Sequence, residues 1–512
     1  MSGVVTGSKA GITAVVMVAA VMAMIDITIV NVALSDIRAS FGTPLDQIGW
    51  VSTGYMMANI VIIPMTGWFQ RRFGYKRYFA ASIVLFTIAS ALCGTAWNLP
   101  SLVAFRVLQG LGGGAIIPTA QSLLFARYPK NEHGMAAGLF GLGAITGPLL
   151  GPTIGGYLID ISSWHSIFLV NVPIGIIAAF LAMRFIEEPG FVADDRPIDK
   201  VGIGLLAVGM ASLQYSLEEG NREGWLDSPL IVGLGITAIV CITTFIVHEL
   251  ETKDPVVDLR VFANRSYAAG TGLNVLTGLA LFGGSYLFSL FSGAVVHYDA
   301  LHIGRVFLVA SMVQIVLMPL VGRFSQKVDP RHMLFVGVCV VGLSQYYYSE
   351  LTASAGFWDL VFPNFIRAIG LAFIFIPVSV ASLSEISPEK RGNATGLFNL
   401  TRELGGSLGT ATMGVIVTNG IKRHGSYLAE NVTIYNPLAV EQMNSIRAGV
   451  GNQTFTNALV PEAIMQMKVT VQAMVLSFAD GFHLAMVVIL FGVVLVALMR
   501  KPKAGVDVAG AH

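Results

Sequence analysis

The residue of this sequence with the clearest chemical meaning is Asp26, a carboxylate inside the apolar run from 11 to 34. A carboxylate deep in a membrane helix costs about 2.5 to 3.5 kcal/mol on insertion scales, so its presence indicates a function. Such a group can bind and release a proton or pair with a cationic molecule. The alternative is a structural ion pair or a helix-to-helix hydrogen bond, for which Asn31 is a candidate partner.

A second pair of charges, Arg402 and Glu403, lies about ten residues into the apolar stretch from 392 to 418. Adjacent residues of a helix point about 100° apart, so at most one of the two faces a central cavity squarely. We favour Glu403 as a second protonatable site, with Arg402 beside it. The alternative is a buried structural salt bridge.

Arg106 is a cation in another apolar run, and its natural partner is a carboxylate, either Asp26 or Glu403. Pairing would keep the acid ionised, and protonation of the acid would free the arginine, which is a workable coupling switch. The alternative is that Arg106 binds backbone carbonyls and only braces the fold. Arg367 is a weaker candidate of the same kind.

The stretch from 143 to 156 combines glycines at every fourth position with two prolines. Glycines at this spacing leave one helix face without side chains, so another helix can approach closely. Proline removes a backbone donor and bends a helix. A glycine face by itself often serves only for helix packing. Together with the two prolines, it predicts a helix that seals or guides the movement of one half of the protein against the other. The residues are Gly143, Gly147, Pro148, Gly151, Pro152, Gly155 and Gly156.

Other chemistry finds no support in the sequence. The three cysteines lie far apart in apolar runs, the histidines have no metal-ligand spacing, and there is no nucleotide-binding Gly-x-x-x-x-Gly-Lys-Ser/Thr sequence. No nucleophile motif and no nucleic-acid patch occur. We therefore expect a non-enzyme without metal or cofactor. The intramembrane carboxylate Asp26 favours a proton gradient as the driving force.

Composition places these residues in a membrane protein. The chain of 512 residues is 54% hydrophobic and 12% charged, whereas soluble domains have about 25% charged residues. Crossing the bilayer takes about 20 apolar residues in a helix, and fourteen such stretches occur. They are 11–34, 47–69, 78–98, 101–126, 134–159, 164–186, 200–217, 228–248, 267–292, 303–322, 332–350, 358–384, 392–418 and 477–499. An all-α membrane fold is predicted.

Two stretches of the chain repeat. Residues 134–143 match 392–401, and residues 67–77 match 322–332 at nearly the same offset. A parallel duplication of this kind builds rocking transporters, with the substrate site between the halves. The predicted domains are a six-helix bundle (11–186), two inserted helices with linkers (187–265) and a second six-helix bundle (266–500). The remaining segments are the N-terminus (1–10), a long loop (419–476) within the second bundle, and a tail (501–512).

The distribution of lysine and arginine between the connecting segments predicts the orientation of the chain in the membrane. Most of them fall in the segments that share a side with both termini, which places the termini in the cytoplasm and the loop 419–476 outside. The stretch from 461 to 476 has apolar residues at spacings of three and four, typical of an amphipathic helix.

Three motifs carry a resemblance to a known family. They are Ile-Asp-Ile-Thr-Ile-Val-Asn-Val-Ala-Leu at 25–34, Arg-Val-Leu-Gln-Gly at 106–110, and the glycine and proline stretch at 143–156. The chain resembles the major facilitator superfamily, in particular its fourteen-span drug:proton antiporter branch of the EmrB/QacA type. It departs from that branch at Ser35, where a proline is usual.

The loop between the second and third spans resembles the gating loop of the superfamily. Arg71 stands where that family usually has an aspartate, which questions an aspartate-centred latch in this half. The residues that correspond to the gating loop are Gly67, Arg71, Arg72, Gly74, Lys76 and Arg77.

The resemblance implies a fold of two six-helix bundles plus two inserted helices. It also implies proton-coupled efflux of lipophilic drugs by alternating access, in a bacterial inner membrane. The loop 419–476 resembles the EmrB kind, in which a periplasmic adaptor protein connects the exporter to an outer-membrane channel. The alternatives are that this loop covers the transporter's own surface, and that the chain is a symporter, an importer, or an exporter of one metabolite.

Overall fold

The chain folds into long α-helices joined by short connections. The computed structural model describes residues 6–193, 198–325, 327–450 and 460–500. The helices of the first half are α1 (Lys9–Phe41), α2 (Leu45–Ile48), α3 (Trp50–Phe73), α4 (Tyr75–Cys93), α5 (Leu99–Arg127), α6 (His133–Ile161), α7 (Ser166–Leu169) and α8 (Asn171–Phe185). Those that follow are α9 (Lys200–Glu223), α10 (Pro229–Glu251), α11 (Arg265–Gly278), α12 (Gly284–Ala294), α13 (Ala300–Phe324), α14 (Pro330–Ser349), α15 (Phe357–Leu383), α16 (Pro388–Glu430), α17 (Pro437–Val450) and α18 (Val460–Leu498).

Two bundles correspond to the predicted repeat. In the first, α1 packs along α6, and α5 packs against α3 and α4. In the second, α11 and α12 form one rod through the π-helical turn Leu279–Gly283, and this rod packs along α16. The α11–α12 rod therefore takes the place of α1, and α16 the place of α6. A π-turn of this kind locally re-aims the side chains around it.

The bundles meet along two related seams, α3 with α16 and α6 with α13. Glycines permit both contacts. A Cβ atom on Gly134 would lie 2.4 Å from the carbonyl oxygen of Gly322, and one on Gly67 would lie 2.3 Å from the backbone nitrogen of Asn393. The repeated stretches thus contact each other across the molecule at positions where only glycine fits.

The inserted pair packs mainly on itself, α9 against α10. Helix α9 also contacts α3 and α16, so it lies over one of the seams between the bundles, whereas little of α10 is buried. Of the two inserted helices, α9 therefore makes the main contacts with the two halves.

Ten of the helical segments in the described chain are long and apolar enough to cross a membrane. The four other predicted spans fall on α3, α6, α14 and α16, which have 24, 29, 20 and 43 residues. The count of fourteen spans stays a prediction. Helix α16 continues to Glu430 and α18 begins at Val460, so both extend into the predicted loop 419–476.

Candidate functional site

Asp26 is fully buried in the first bundle and receives three hydrogen bonds. Its Oδ2 accepts from Arg106 Nη1 at 2.7 Å, and its Oδ1 accepts from Gln109 Nε2 and Asn171 Nδ2, both at 2.8 Å. We call these four residues the Asp26 cluster. Helices α1, α5 and α8 bring them together, and the three donors compensate the cost of burying the carboxylate.

The structure decides between the alternatives considered for Arg106, which were a carboxylate partner and backbone carbonyls. Its carboxylate partner is Asp26, and its Nε also donates to the carbonyl oxygen of Val51 at 3.1 Å. The guanidinium lies over the ring of Tyr55, 4.3 Å from the centroid. Arg106 thus both pairs with the acid and braces α3. Breaking a buried pair of this kind by removing one partner costs about 3 to 5 kcal/mol.

Two members of the Asp26 cluster were not predicted as site residues. Gln109 is three residues beyond Arg106 on the same helix face, and its Oε1 accepts from Arg106 at 2.7 Å. Asn171 begins an apolar helix, and its amide also donates to Ser90 Oγ at 3.1 Å. Both are polar residues within apolar stretches, and this feature of the sequence could have indicated them as site residues. The side chain of Asn31, the partner considered for Asp26, lies outside the described residues.

A cavity of about 350 Å³, including space open to solvent, lies between the bundles. Its walls come from four helices, three of the first bundle and α16 of the second. The lining residues are Ala23, Met24, Ile27, Tyr55, Asn59, Ile63, Gly113, Gly114, Ile117, Pro118, Asn399, Arg402 and Glu403. Tyr55 belongs both to this wall and to the surroundings of Arg106, so it separates the cavity from the Asp26 cluster.

Glu403 and Arg402 both line the cavity but differ in exposure. The side chain of Arg402 is 5% exposed, donates to Asn399 Oδ1 at 3.1 Å and lies over the ring of Phe375. The side chain of Glu403 is 26% exposed, and its Oε1 lies 3.6 Å from Arg402 Nη2. Arg402 is therefore anchored in the protein, while Glu403 is the carboxylate that a molecule in the cavity can reach.

The glycine face of α6 packs against α1 of the same bundle. Cβ atoms on Gly147, Gly151 and Gly155 would lie 2.2, 2.0 and 2.7 Å from atoms of Met24, Thr28 and Ile29, and one on Gly143 would be 3.3 Å from Ala20. The predicted close helix approach is thus present. It holds α1 and α6 together within one half. The expected role in sealing or guiding the movement of one half against the other stays a prediction.

Other parts of the same motif do not contribute to this approach. A Cβ on Gly156 would meet nothing within 4 Å. The side chains of Pro148 and Pro152 lie outside the described residues. The contact of α6 with the second bundle uses Gly138 and Gly141, which face Met318 of α13. The inter-bundle glycines therefore precede the motif in the chain.

The predicted gating loop forms the tight connection from α3 to α4. Gly74 adopts φ 79°, and the carboxylate of Glu188 accepts from the backbone nitrogens of Tyr75 and Lys76, both at 2.9 Å. A carboxylate at a helix N-terminus satisfies free N–H groups and the helix dipole. Glu188, which follows α8, thus places an acid beside a loop whose usual aspartate position is Arg71. Glu188 was not among the residues predicted from the sequence.

The other gating-loop residues differ in position. Gly67 contacts Asn393 of α16, as described above, while Arg71, Arg72 and Lys76 are partly buried and Arg77 is exposed. Of these, Gly67 is the residue placed directly on the seam between the bundles.

The start of α16 carries further contacts between the bundles. Arg391 Nη1 donates to the carbonyl oxygen of Phe125 at 3.0 Å, and Asn399 Nδ2 donates to Gln121 Oε1 at 2.7 Å. Asn393 exchanges hydrogen bonds with the backbone of Asp258, which follows the inserted helices, at 3.0 and 2.9 Å. One end of the interface is thus closed by polar contacts and close glycines.

Comparison with known proteins gives a consistent result. The family model described as Major Facilitator Superfamily matches residues 16–410. The chain is 32% identical over 496 residues to the multidrug export protein EmrB of Haemophilus influenzae, covering 96% of each chain. It is 33% identical to EmrB of Escherichia coli K12, covering 96% of this chain and 95% of that one. It is 34% identical over 415 residues to the fatty acid resistance protein FarB of Neisseria gonorrhoeae, covering 81% and 82%.

Solved structures share the fold at low sequence identity. The human organic anion transporter MFSD10 matches with a TM-score of 0.61 at 11% identity, covering 94% of this chain and 100% of that one. The proton:xylose symporter XylE matches with a TM-score of 0.60 at 13% identity, covering 94% of both. These similarities confirm the predicted all-helical architecture of two bundles.

Proposed function

Because the chain belongs to the major facilitator superfamily, we propose that it is a multidrug exporter that moves amphipathic organic compounds out of the cytoplasm in exchange for protons. The chain is a multi-pass membrane transporter and not an enzyme. Export of many compounds is suggested by the EmrB proteins, to which it is similar over nearly its whole length. Proton exchange is our inference from one fully buried carboxylate, Asp26, and one partly exposed carboxylate, Glu403.

The observation that carries this proposal is that Asp26 and Glu403 have different surroundings, while Tyr55 both contacts Arg106 and lines the cavity with Glu403. Asp26 is sealed from the cavity and neutralised by Arg106, whereas Glu403 is partly exposed within the cavity. One acid can therefore exchange a proton while the other meets the transported molecule. Two carboxylates in different surroundings can take different roles in one cycle.

The charges of the Asp26 cluster suggest how protonation acts on the fold. When Asp26 is protonated, Arg106 loses its counter-ion but keeps the Val51 carbonyl and the Tyr55 ring. A buried cation without its partner is strongly unfavourable, so the packing of α1, α3 and α5 is expected to change. Since Tyr55 is part of the cavity wall, the altered helix packing would also alter the contacts of a molecule bound in the cavity.

The test is Asp26→Asn, which keeps the size of the side chain but removes its titration. In proteoliposomes with an enclosed pH dye, we expect drug-driven proton release to be abolished while the protein still inserts and folds. Asp227→Asn, at an exposed position, is the matched control and should transport normally. Undiminished proton release by the Asp26 variant would remove Asp26 from the mechanism.

A cell assay separates the proposal from uptake of a nutrient. Deletion should raise the accumulation of lipophilic drugs, and a protonophore added to wild-type cells should have the same effect. Loss of growth on one nutrient, with unchanged drug accumulation, would instead identify an importer or symporter of a defined solute.

We further propose that the chain lies in the inner membrane with both termini in the cytoplasm and works with a periplasmic adaptor and an outer-membrane channel. The adaptor is supported by two features: α16 and α18 extend into the predicted outside loop, and exposed apolar residues lie just before α17 and at its start. Ile434, Tyr435 and Leu438 are 81%, 88% and 72% exposed. Exposed apolar side chains that cluster in this way are typical of a protein contact surface.

The proposal of an adaptor is tested with the triple variant Ile434→Ser, Tyr435→Ser and Leu438→Ser. Whole-cell resistance and co-purification of the adaptor should fall, while transport in proteoliposomes is retained. Glu441→Ser with Gln442→Ser is the control, since both residues are exposed and polar on the same helix. Equal loss of transport in proteoliposomes would place this surface in the transport cycle itself.

A further inference from the structure

The second bundle buries a cation, Arg367 of α15, that has no carboxylate partner among the described residues. The residue is 5% exposed, and its guanidinium donates to Ser285 Oγ at 3.2 Å and to Asn364 Oδ1 at 2.9 Å. Both acceptors are neutral. In the part of the chain that the structure describes, no carboxylate forms an ion pair with it, in contrast to Arg106 and Asp26.

The surroundings of Arg367 contain further unsatisfied polar atoms. Gln345 is 0% exposed, and neither its Nε2 nor its Oε1 has a hydrogen-bond partner among the described residues. The hydroxyl group of Tyr348 is also buried, and it has no hydrogen-bond partner in the described part of the chain. The rings of Tyr348 and Phe307 lie 5.8 and 5.7 Å from the guanidinium, so apolar walls enclose the charge. Unpartnered buried polar groups are rare in proteins and call for an explanation.

The internal repeat relates this place to the Asp26 cluster. The offset that separates Gly134 from Gly392 also relates Arg106 to Asn364 and Gln109 to Arg367. Each bundle thus has a hydrogen bond from an arginine to an amide oxygen three residues away, with the two residue types exchanged between the positions. It also relates Asp26 to Gly284. The carboxylate of the first bundle is therefore replaced by a glycine in the second.

One contact between helices recurs in this register. A Cβ atom on Gly151 would lie 3.2 Å from the carbonyl oxygen of Ile25, and one on Gly283 would lie 3.1 Å from the backbone of Gly409. A Cβ atom on Gly284 would lie 3.1 Å from Gln345 Nε2 and 3.6 Å from Arg367 Nη1. A side chain at this position would thus point at the guanidinium, as Asp26 points at Arg106.

We propose that a small monovalent anion binds here, between Arg367, Gln345 and Gly284, and supplies the negative charge that Asp26 supplies in the first bundle. A buried guanidinium without a counter-charge is strongly unfavourable. The Arg367 and Gln345 N–H groups and the Tyr348 hydroxyl are donors suited to a halide or to a carboxylate group. A water molecule would satisfy hydrogen bonds there but would leave the charge uncompensated.

The test is the thermal stability of the purified full-length protein at constant ionic strength, with chloride, bromide or acetate replacing gluconate, which is too bulky for a buried site. Since a ligand that binds only the folded state stabilises it, we expect a saturable rise in Tm of about 3 °C. A rise with the two halides alone identifies an inorganic ion, and a rise with acetate shows that the site accepts a carboxylate. An unchanged Tm in every anion would overturn the proposal.

Two variants tie the effect to this site. Arg367→Gln should lose the dependence on anions, while Arg305→Gln, an exposed arginine, should keep it. Gly284→Asp restores a resident carboxylate, so this variant should be stable in gluconate and indifferent to chloride. The Gly284→Asp variant therefore tests whether the anion binds at this site even if the Arg367 variant does not fold. Retention of the full chloride effect in both Arg367→Gln and Gly284→Asp would place anion binding elsewhere.

Discussion

The glycine face between α6 and α1 gives a sharp prediction for Gly147→Ala. In a free helix this change would be favourable, because alanine is the better helix former by about 0.8 to 1 kcal/mol. In this fold the new Cβ would lie 2.2 Å from Met24 Cβ and within 2.9 Å of backbone atoms of Met24 and Ile25. The backbone of α1 cannot rotate aside as a side chain can, so the two helices must separate.

The size of the effect follows from these distances. Carbon atoms in favourable contact lie about 3.5 to 4.0 Å apart, so the helices must move by more than roughly 1 Å. Overpacking of a tight core costs typically about 1 to 3 kcal/mol. Loss of the neighbouring close contacts at Gly143 and Gly151 adds to this cost, because the face packs as one unit. We expect a net destabilisation of about 2 to 3 kcal/mol.

The measurement is thermal unfolding followed by a thiol-reactive fluorescent dye, since Cys93 is buried in the same bundle and Cys241 and Cys339 are partly buried. Gly156→Ala is the matched control on the same helix, because a Cβ there meets nothing within 4 Å. The Tm of Gly147→Ala should fall several degrees below that of Gly156→Ala. If the two variants melt within about 1 °C of each other, the helices do not approach as described.

Three more predictions concern other contacts. Asn171→Ala removes one of the three donors to Asp26 and should destabilise the protein by about 1 to 3 kcal/mol in denaturant titration; an unchanged midpoint would contradict its role. Gly322→Ala, but not the unobstructed Gly304→Ala, should separate the bundles at the α6–α13 seam, measured as longer distances between spin labels on those helices. Glu188→Ala should cost about 1 kcal/mol and speed proteolysis at the α3–α4 connection; equal cleavage rates would exclude a capping role.

Several features of this protein followed from the sequence alone. Asp26 and Arg106 could be selected as candidate functional residues because the cost of an ionised group in an apolar helix depends on the local run of residues. The two bundles followed from repeated stretches that need no knowledge of packing. Close approach at Gly147 also followed, since glycines every fourth residue lie on one face of any helix.

Other features were decided by tertiary structure. The sequence offered Asp26 two partners in Asn31 and Arg106, and offered Arg106 two acids, and only the packing of α1, α5 and α8 selects the Asp26–Arg106 pair with Asn171. The glycine pattern predicted that another helix packs on this face of α6, and only the tertiary structure shows that this helix is α1.

Glu188 beside the gating loop and Arg367 in the second bundle also owe their surroundings to the tertiary structure. Glu188 lies more than a hundred residues from Tyr75, whose backbone it binds, and nothing in its local sequence indicates that contact. Arg367 resembles Arg106 as an arginine in an apolar helix, yet one has a carboxylate and the other faces Gly284. Local sequence sets the cost of burying each charge, whereas the group that compensates it comes from a distant segment that only folding brings near.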